Sequence, residues 1–329
     1  MRLLYITSRS ADYIQDLTYS GLVKILGKHN VIDHPWNTKF HINYKQYPKN
    51  LGYVPHSLLS SLTARFYRNF DAVIVASAKM SAFSAYSEIL KNIPTKTPVV
   101  FIDGGDQADI GGGVTHEGGE HLYKQTVTAR PFDLIFKREY LLNTDLGPNV
   151  YPYPISFNFD RLPKTHKKPA MKYDVSFWAV ESDPVRTKVL EFLCDKFDCS
   201  ANGTTTNQKF SKYARKGLFY LQELSSCRVT LNFRGTGWDT LRYWEVPALG
   251  RFLISQKPEI YIPNNFIDGE SIVYVSDDLS EIHDKIVFYL KNDAVRERIA
   301  SAARNHCITY HSDICRADYL LSILKRHIK

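Results

Sequence analysis

Residues 238–255 read WDTLRYWEVPALGRFLIS. Asp239 or Thr240 is placed to start and cap a helix, by accepting a hydrogen bond from a backbone N–H. A mixed run of aromatic and charged residues follows. Pro247 removes a helical donor, which kinks or ends the helix. Gly250 then allows a tight turn into the apolar run RFLIS. Just upstream lies another apolar run, RVTLNFR (228–234), which leads through GTGW into the helix. Strand, glycine loop, helix, turn and strand make one βαβ unit of a parallel sheet. Gly235 and Gly237 let a ligand approach the backbone. The helix amino terminus offers N–H groups and partial positive charge, which suits a diphosphate. Arg242 lies in the first turn. Glu245 lies one turn after Leu241, and its two acceptor oxygens suit the vicinal hydroxyls of a ribose. An ordinary helix with a buried aromatic face is the plain alternative.

The same rhythm extends in both directions. Upstream, strand-like RLLYITS, DAVIVAS, PVVFID, DLIFKREYL and VYPYPISF alternate with helix-like DYIQDLTYSGLVKIL, HSLLSSLTARFYRNF (56–70) and SAFSAYSEILKNI. Residues 158–172, NFDRLPKTHKKPAMK, are polar and basic with two prolines, and read as a linker. The rhythm restarts with YDVSFWAV (173–180) and the helix DPVRTKVLEFLCDKF, where Pro184 fits a first turn. LFYLQELSSC reads as a helix, SIVYVSD as a strand, and LSEIHDKIVFYLKN and AVRERIASAARNHCITYH as helices. The expected fold class is α/β, with two tandem Rossmann-like domains. Their boundaries are residues 1–157 and 173–329, and ligands are expected in a cleft between them at the carboxyl ends of the strands.

A chain of 329 residues is long enough for two cores. No apolar run approaches the roughly 20 residues of a membrane span. Cys194, Cys199, Cys227, Cys307 and Cys315 form no CxxC pair, and with no secretion signal they read as free thiols of a cytoplasmic protein. A net charge of +8 is compatible with an anionic ligand, nucleic acid or a membrane surface. The basic end LKRHIK (324–329) can touch acidic lipid or can simply be a solvated helix end.

LRYWEVPALGRFLIS resembles the donor-site segment of the GT-B glycosyltransferases, most closely their CgeB-like spore-maturation group. FIDGGD, FKRE, YDVSFWAV and residues 266–321 carry the same resemblance. It implies two Rossmann-like domains with the donor in the second and the last helix crossing back to the first. It also implies transfer of a sugar from a nucleotide-sugar donor to a glycan or other hydroxyl acceptor, as in surface polysaccharide synthesis, in the cytoplasm or at the membrane periphery. By this resemblance Glu245 binds the ribose, the Thr240 and Leu241 N–H groups hold the diphosphate, and Arg242 and Arg234 are candidate counter-cations. The wider pattern often has a second Glu eight residues before the first. Gly237 stands there, so the sugar-ring contacts and the stereochemical outcome stay open. No cofactor and no metal are expected. SDD (276–278) reads as a helix cap, and cationic and dipolar groups can stabilise a departing diphosphate.

In the first half, FIDGGDQADIGGGVTHEGGEHLYK (101–124) follows an apolar strand. An acceptor hydroxyl needs a base in an inverting reaction, and Asp103, Asp106, His116 and Glu117 are the candidates. For Asp103, a turn residue before Gly104 and Gly105 is the alternative. The glycines read as a loop able to close over substrate. His116 and His121 are spaced wrongly for a helical zinc pair. Lys137 and Arg138, at the end of a strand, are candidate cleft cations. Two other readings stay open, a phage-type transferase acting on modified DNA bases and a non-catalytic nucleotide-sugar or glycan-binding protein. A dinucleotide oxidoreductase is disfavoured, because ITSRSAD and WAVESDP contain no GxGxxG.

Overall fold

Strands β1 (Leu3–Ile6), β2 (Val31–His34), β3 (Ala72–Val75), β4 (Val99–Asp103), β5 (Leu134–Lys137) and β6 (Val150–Pro152) form one sheet, in the order β2-β1-β3-β4-β5-β6. Every pairing is parallel. The structure is a computed structural model describing residues 1–43, 46–56, 69–163, 169–194, 196–207 and 217–328. Most of the helix-like segment at 56–70 and the middle of the stretch read as a linker lie outside these residues. No helix among the described residues is long and apolar enough to cross a membrane.

The sheet belongs to a unit made of Met1–Asn158, Ile260–Pro263 and Asp313–Lys329. Its strands are near-continuous apolar runs because both faces are covered, and AVIV of β3 is wholly buried. Strand β2 is an addition to the elements expected from sequence. VIDH has only two apolar residues, and pairing with β1 makes it a strand.

Helix α1 (Tyr13–Leu26) is capped by Asp12, whose Oδ1 accepts from the Gln15 N–H at 3.0 Å. It is buried along Ile14–Val23, more than one face. The second cover is the chain's last helix, whose first residue, Asp313, accepts from Ser20 (2.6 Å) and Lys24 (2.7 Å). A side chain at Gly21 would lie 2.1 Å from the Asp313 carbonyl oxygen, so the two helices can touch only because residue 21 has no Cβ.

Asp16 on α1 is buried beside Gln15 (3.1 Å) and Lys39 (3.5 Å). Burial pushes its carboxyl up to about 7, against the pull of Lys39. A raised carboxyl pKa means the folded state holds the proton more tightly. This group's contribution is therefore complete below about pH 4 and is lost as pH rises to about 7. Asp16→Asn should flatten that slope, by on the order of 1.4 kcal/mol for each tenfold difference in proton affinity between the folded and unfolded chain. Urea unfolding at pH 5 and pH 8 reads it: the wild type should lose more stability than Asp16→Asn on going up. Equal losses would place the proton elsewhere.

The other unit is Phe159–Glu259 with Asn264–Ser312. Its strands are β7 (Tyr173–Ser176), β8 (Cys227–Asn232), β9 (Leu253–Gln256) and β10 (Val273–Val275), parallel in the order β10-β9-β8-β7. Val175, Val229, Leu231 and Ile254 from the sheet pack with Val189, Ile282 and Ile299 from the helices. Helix α2 (Pro184–Leu193) follows β7. Its cap is Asp183, which accepts from the Val185 N–H at 2.9 Å, and Pro184 occupies its first turn as expected. Helix α3 (Leu241–Ala248) follows β8 and carries Pro247 in its last turn. The Leu249 N–H returns to the Glu245 carbonyl (2.9 Å) and the Gly250 N–H to that of Pro247 (2.8 Å). Gly250 has φ +65°, a conformation disfavoured for other residues, and delivers the chain into β9.

Candidate functional site

At the carboxyl edge of the second sheet, the loops after β7 and β8 are tied together by an arginine. Arg186 lies in the first turn of α2. It donates to the carbonyls of Val180 (2.9 Å), Phe233 (3.1 Å) and Arg234 (2.8 Å). A Cβ at Gly235 would come 3.0 Å from this guanidinium, which explains the glycine. Burial, then the nearby charge of Arg242, brings the Arg186 pKa down to about 10.

Arg234 pairs with Asp183 (3.2 Å) and lies over the Trp238 ring (4.2 Å). Arg242 donates to the Trp178 carbonyl and lies over Phe177 (5.4 Å). Three arginines thus stand around the α3 amino terminus; of the acids in these two loops, Asp183 pairs with Arg234, Asp239 is turned to the Trp244 indole and Glu181 accepts from the Asn207 N–H. The expected cap is corrected. The Thr240 hydroxyl donates to Asn232 (2.7 Å), Asp239 accepts from the Trp244 indole (2.7 Å), and α3 has no side-chain cap. Both side chains serve the core and leave the helix start to the backbone. Gly237 lies in the preceding loop, its carbonyl accepting from the Gly235 N–H (2.9 Å). Glu245 is only 2% exposed, and Tyr220 donates to it at 2.8 Å. The carboxylate is oriented from within the unit and is not an open surface group.

In the first unit the candidates separate. Asp103 and Lys137 are both fully buried and 3.0 Å apart. Asp103 also accepts from the Gly111 N–H (2.8 Å), and Lys137 donates to the carbonyls of Gln107 (2.6 Å) and Asp109 (3.1 Å). The pair holds the glycine loop in shape. This corrects the reading of Lys137 as a cleft cation. It also speaks against Asp103 as base, since a base must come within about 2.6–3.2 Å of its substrate.

Asp106 is 42% exposed and pairs with Arg138 (2.6 Å), which also donates to the Gly104 carbonyl (3.2 Å). His116 is exposed. Glu117 accepts from the Met80 N–H (2.8 Å) and pairs with Lys79 (3.1 Å). At two of the glycines a side chain has no room. A Cβ at Gly111 would lie 2.3 Å from the Tyr123 ring, and one at Gly113 would lie 2.8 Å from the Ala78 carbonyl oxygen.

Strand order in this sheet reverses between β1 and β3, and the crevice at such a switch point is where ligands bind. Asp12 follows β1 there and accepts from the hydroxyl of Ser77, just after β3, at 2.5 Å. Burial raises its carboxyl pKa, while the Ser77 and Gln15 hydrogen bonds oppose it. Sequence reasoning missed Asp12. The spacing of Asp12 and Gln15 ahead of an apolar run, a capping signature, was the available signal. Among the described residues no three His, Cys, Asp or Glu side chains cluster as a metal site.

Residues 188–322 match a family described as glycosyl transferase-like. No curated protein matches the chain by sequence. An α-glucosyltransferase solved with UDP and a 13-mer DNA containing an A:G mismatch superposes with TM-score 0.63 at 13% identity, over 99% of this chain and 100% of that one. HepE of Anabaena, solved with UDP-glucose, gives 0.60 at 10% identity over 99% and 100%. Sucrose-phosphate synthase of Thermosynechococcus elongatus gives 0.59 at 10% identity over 99% and 99%.

The fold is GT-B.

In this GT-B chain the matched stretch begins two residues after Arg186 and takes in Arg234, Thr240, Arg242 and Glu245. Arg186 was missed by sequence reasoning because two of its three carbonyl acceptors lie 47 and 48 residues away, in another loop.

Proposed function

We propose that the protein is a glycosyltransferase that moves a sugar from a UDP-linked donor to an acceptor hydroxyl, with the donor on the second unit. The observation that carries this reading is the carboxyl edge of β7 and β8, where Arg186, Arg234 and Arg242 surround a helix start without a side-chain cap. A diphosphate matches this charge and these N–H groups. Thr240 and Leu241 offer their N–H groups, and Gly237 lets the phosphates approach the loop. Arg234 and Arg242 offset the charge that grows on the leaving diphosphate. Glu245, oriented by Tyr220, receives the ribose hydroxyls.

The residues 1–157 domain would take the acceptor, with Asp106, His116, Glu117 or Asp12 as the base of an inverting reaction. The quoted motifs support the CgeB-like group and surface glycan synthesis at the cytoplasmic side of a membrane. The last turn of the final helix carries Lys325, Arg326 and His327 for an acidic lipid surface. Similarity to a glucosyltransferase solved on DNA keeps a DNA acceptor as the second reading. Steeply salt-dependent duplex binding would favour it.

A thermal-shift series with UDP, GDP, dTDP and CMP tests the donor. UDP at about 100 times its dissociation constant should add roughly 2.7 kcal/mol of stability, and transfer from UDP-glucose should survive EDTA. No shift with any nucleotide would remove the proposal.

A further inference from the structure

The second unit has a cavity at the edge of its sheet opposite the loops that bear Arg186 and Arg234. It measures about 880 Å³ and opens where the chain enters β7, β8 and β9, beside Lys172, Arg228 and Arg251. Helix Asp293–Tyr310 contributes Arg296, Glu297 and Arg304. The six residues of β8 separate this edge from the loop bearing Arg234 by about 20 Å, at about 3.3 Å per residue.

We propose that this pocket binds a small organic molecule through a dianionic phosphate held by Arg251 and Arg304. The other cations of the lining already have acids: Lys172 has Glu223 (3.1 Å), Arg228 has Asp174 (3.6 Å) and Arg296 has Asp293 (2.8 Å). Among the described residues neither Arg251 nor Arg304 has a carboxylate within 4.0 Å. Arg251 is 8% exposed, and its Nε is buried without a hydrogen-bond partner. Burial lowers its pKa, and Glu297 acts against this from a distance. A buried guanidinium N–H left without an acceptor is costly unless something completes it.

The carboxyl end of α3 is not that something. Its carbonyls at Glu245, Val246 and Pro247 already accept from the N–H groups of Leu249, Arg251 and Gly250. Arg304 is brought alongside by the same turn. A Cβ at Gly250 would lie 3.0 Å from the Arg304 side chain, so its stem rests where no side chain stands. Its guanidinium is 6.0 Å from the Phe159 ring.

Two unneutralised arginines match a group with two negative charges, and their planar forks suit phosphate oxygens. The volume is that of an organic ligand site. Phe219, 53% exposed, and Met171 give it an apolar wall for a sugar or base. Glu297 is exposed in the lining.

The test is calorimetric titration of inorganic phosphate, ribose 5-phosphate and AMP, with ribose, adenosine and citrate as controls. The proteins are wild type, Arg251→Met and Arg304→Met. An organic phosphate should bind the wild type, and each variant should weaken it at least tenfold. UDP affinity should be the same in all three proteins. Arg251→Met, free of ligand, should melt no lower than the wild type, because no partner is lost. The proposal is overturned if no phosphate probe binds, if citrate binds as tightly, or if Arg251→Met binds the probes unchanged. It is equally overturned if Arg251→Met loses UDP affinity, which would put the nucleotide in this pocket, or if it melts much lower, which would make Arg251 structural.

Discussion

Replacing Lys137 by methionine should destabilise the first unit by about 3–5 kcal/mol, the usual cost of stripping one partner from a buried ion pair. Lys137 and Asp103 are both fully buried at 3.0 Å. Methionine fills similar space but leaves Asp103 with one backbone donor, from Gly111 (2.8 Å). The carbonyls of Gln107 and Asp109 lose their donor too. The double change Lys137→Met with Asp103→Asn should recover part of the loss, since no charge then remains buried. Urea unfolding of the single and double variants measures the coupling. A loss under about 0.5 kcal/mol, the range of ordinary surface changes, would show that the pair is not what holds the loop. The same pair bears on catalysis. If Asp103 were the base, Asp103→Asn would lower turnover by about 10² to 10⁴ with stability kept. The geometry predicts instead that stability falls with it.

Replacing Glu245 should lower UDP affinity by one to a few powers of ten. Two charge-assisted hydrogen bonds to a ribose are worth about 1.5–3 kcal/mol each, and about 1.4 kcal/mol is one power of ten. Alanine is not the cleanest variant, because Glu245 is buried and bonded by Tyr220. Its loss would also leave that hydroxyl without its acceptor. Glu245→Gln keeps the shape and an oxygen for Tyr220 while removing the charge. Titration of UDP should therefore show the drop in Glu245→Gln with the melting temperature nearly unchanged, and a smaller drop in Tyr220→Phe. Equal affinity in wild type and Glu245→Gln would return Glu245 to a purely structural role.

The α/β rhythm was legible because buried parallel strands such as AVIV and VVFID are unbroken apolar runs. The end of α3 was legible as well, since Pro247 and Gly250 act locally. What sequence did not disclose depends on residues far apart in the chain. VIDH becomes a strand through β1. Lys137 sits at a strand end, where a charge normally faces water, and burial there is decided by Asp103, 34 residues away. Thr240 and Asp239 have the side chains of helix caps, but Asn232 and Trp244 capture them. Arg186 looks like one more charge in a helical first turn until its carbonyl acceptors are in view. Arg251 follows a turn that Gly250 makes legible, yet only the cavity beside it distinguishes it from a solvated arginine.

The central claim is that the carboxyl edge of β7 and β8 holds a nucleotide diphosphate. A crystal structure of the protein with UDP tests it most directly. Phosphate oxygens are expected within about 3.2 Å of the backbone N–H groups at the start of α3, with Arg234 or Arg242 turned onto the diphosphate and the ribose hydroxyls at Glu245. UDP bound elsewhere, at the Arg251 pocket for instance, or absent from a protein soaked at saturating concentration, would contradict it.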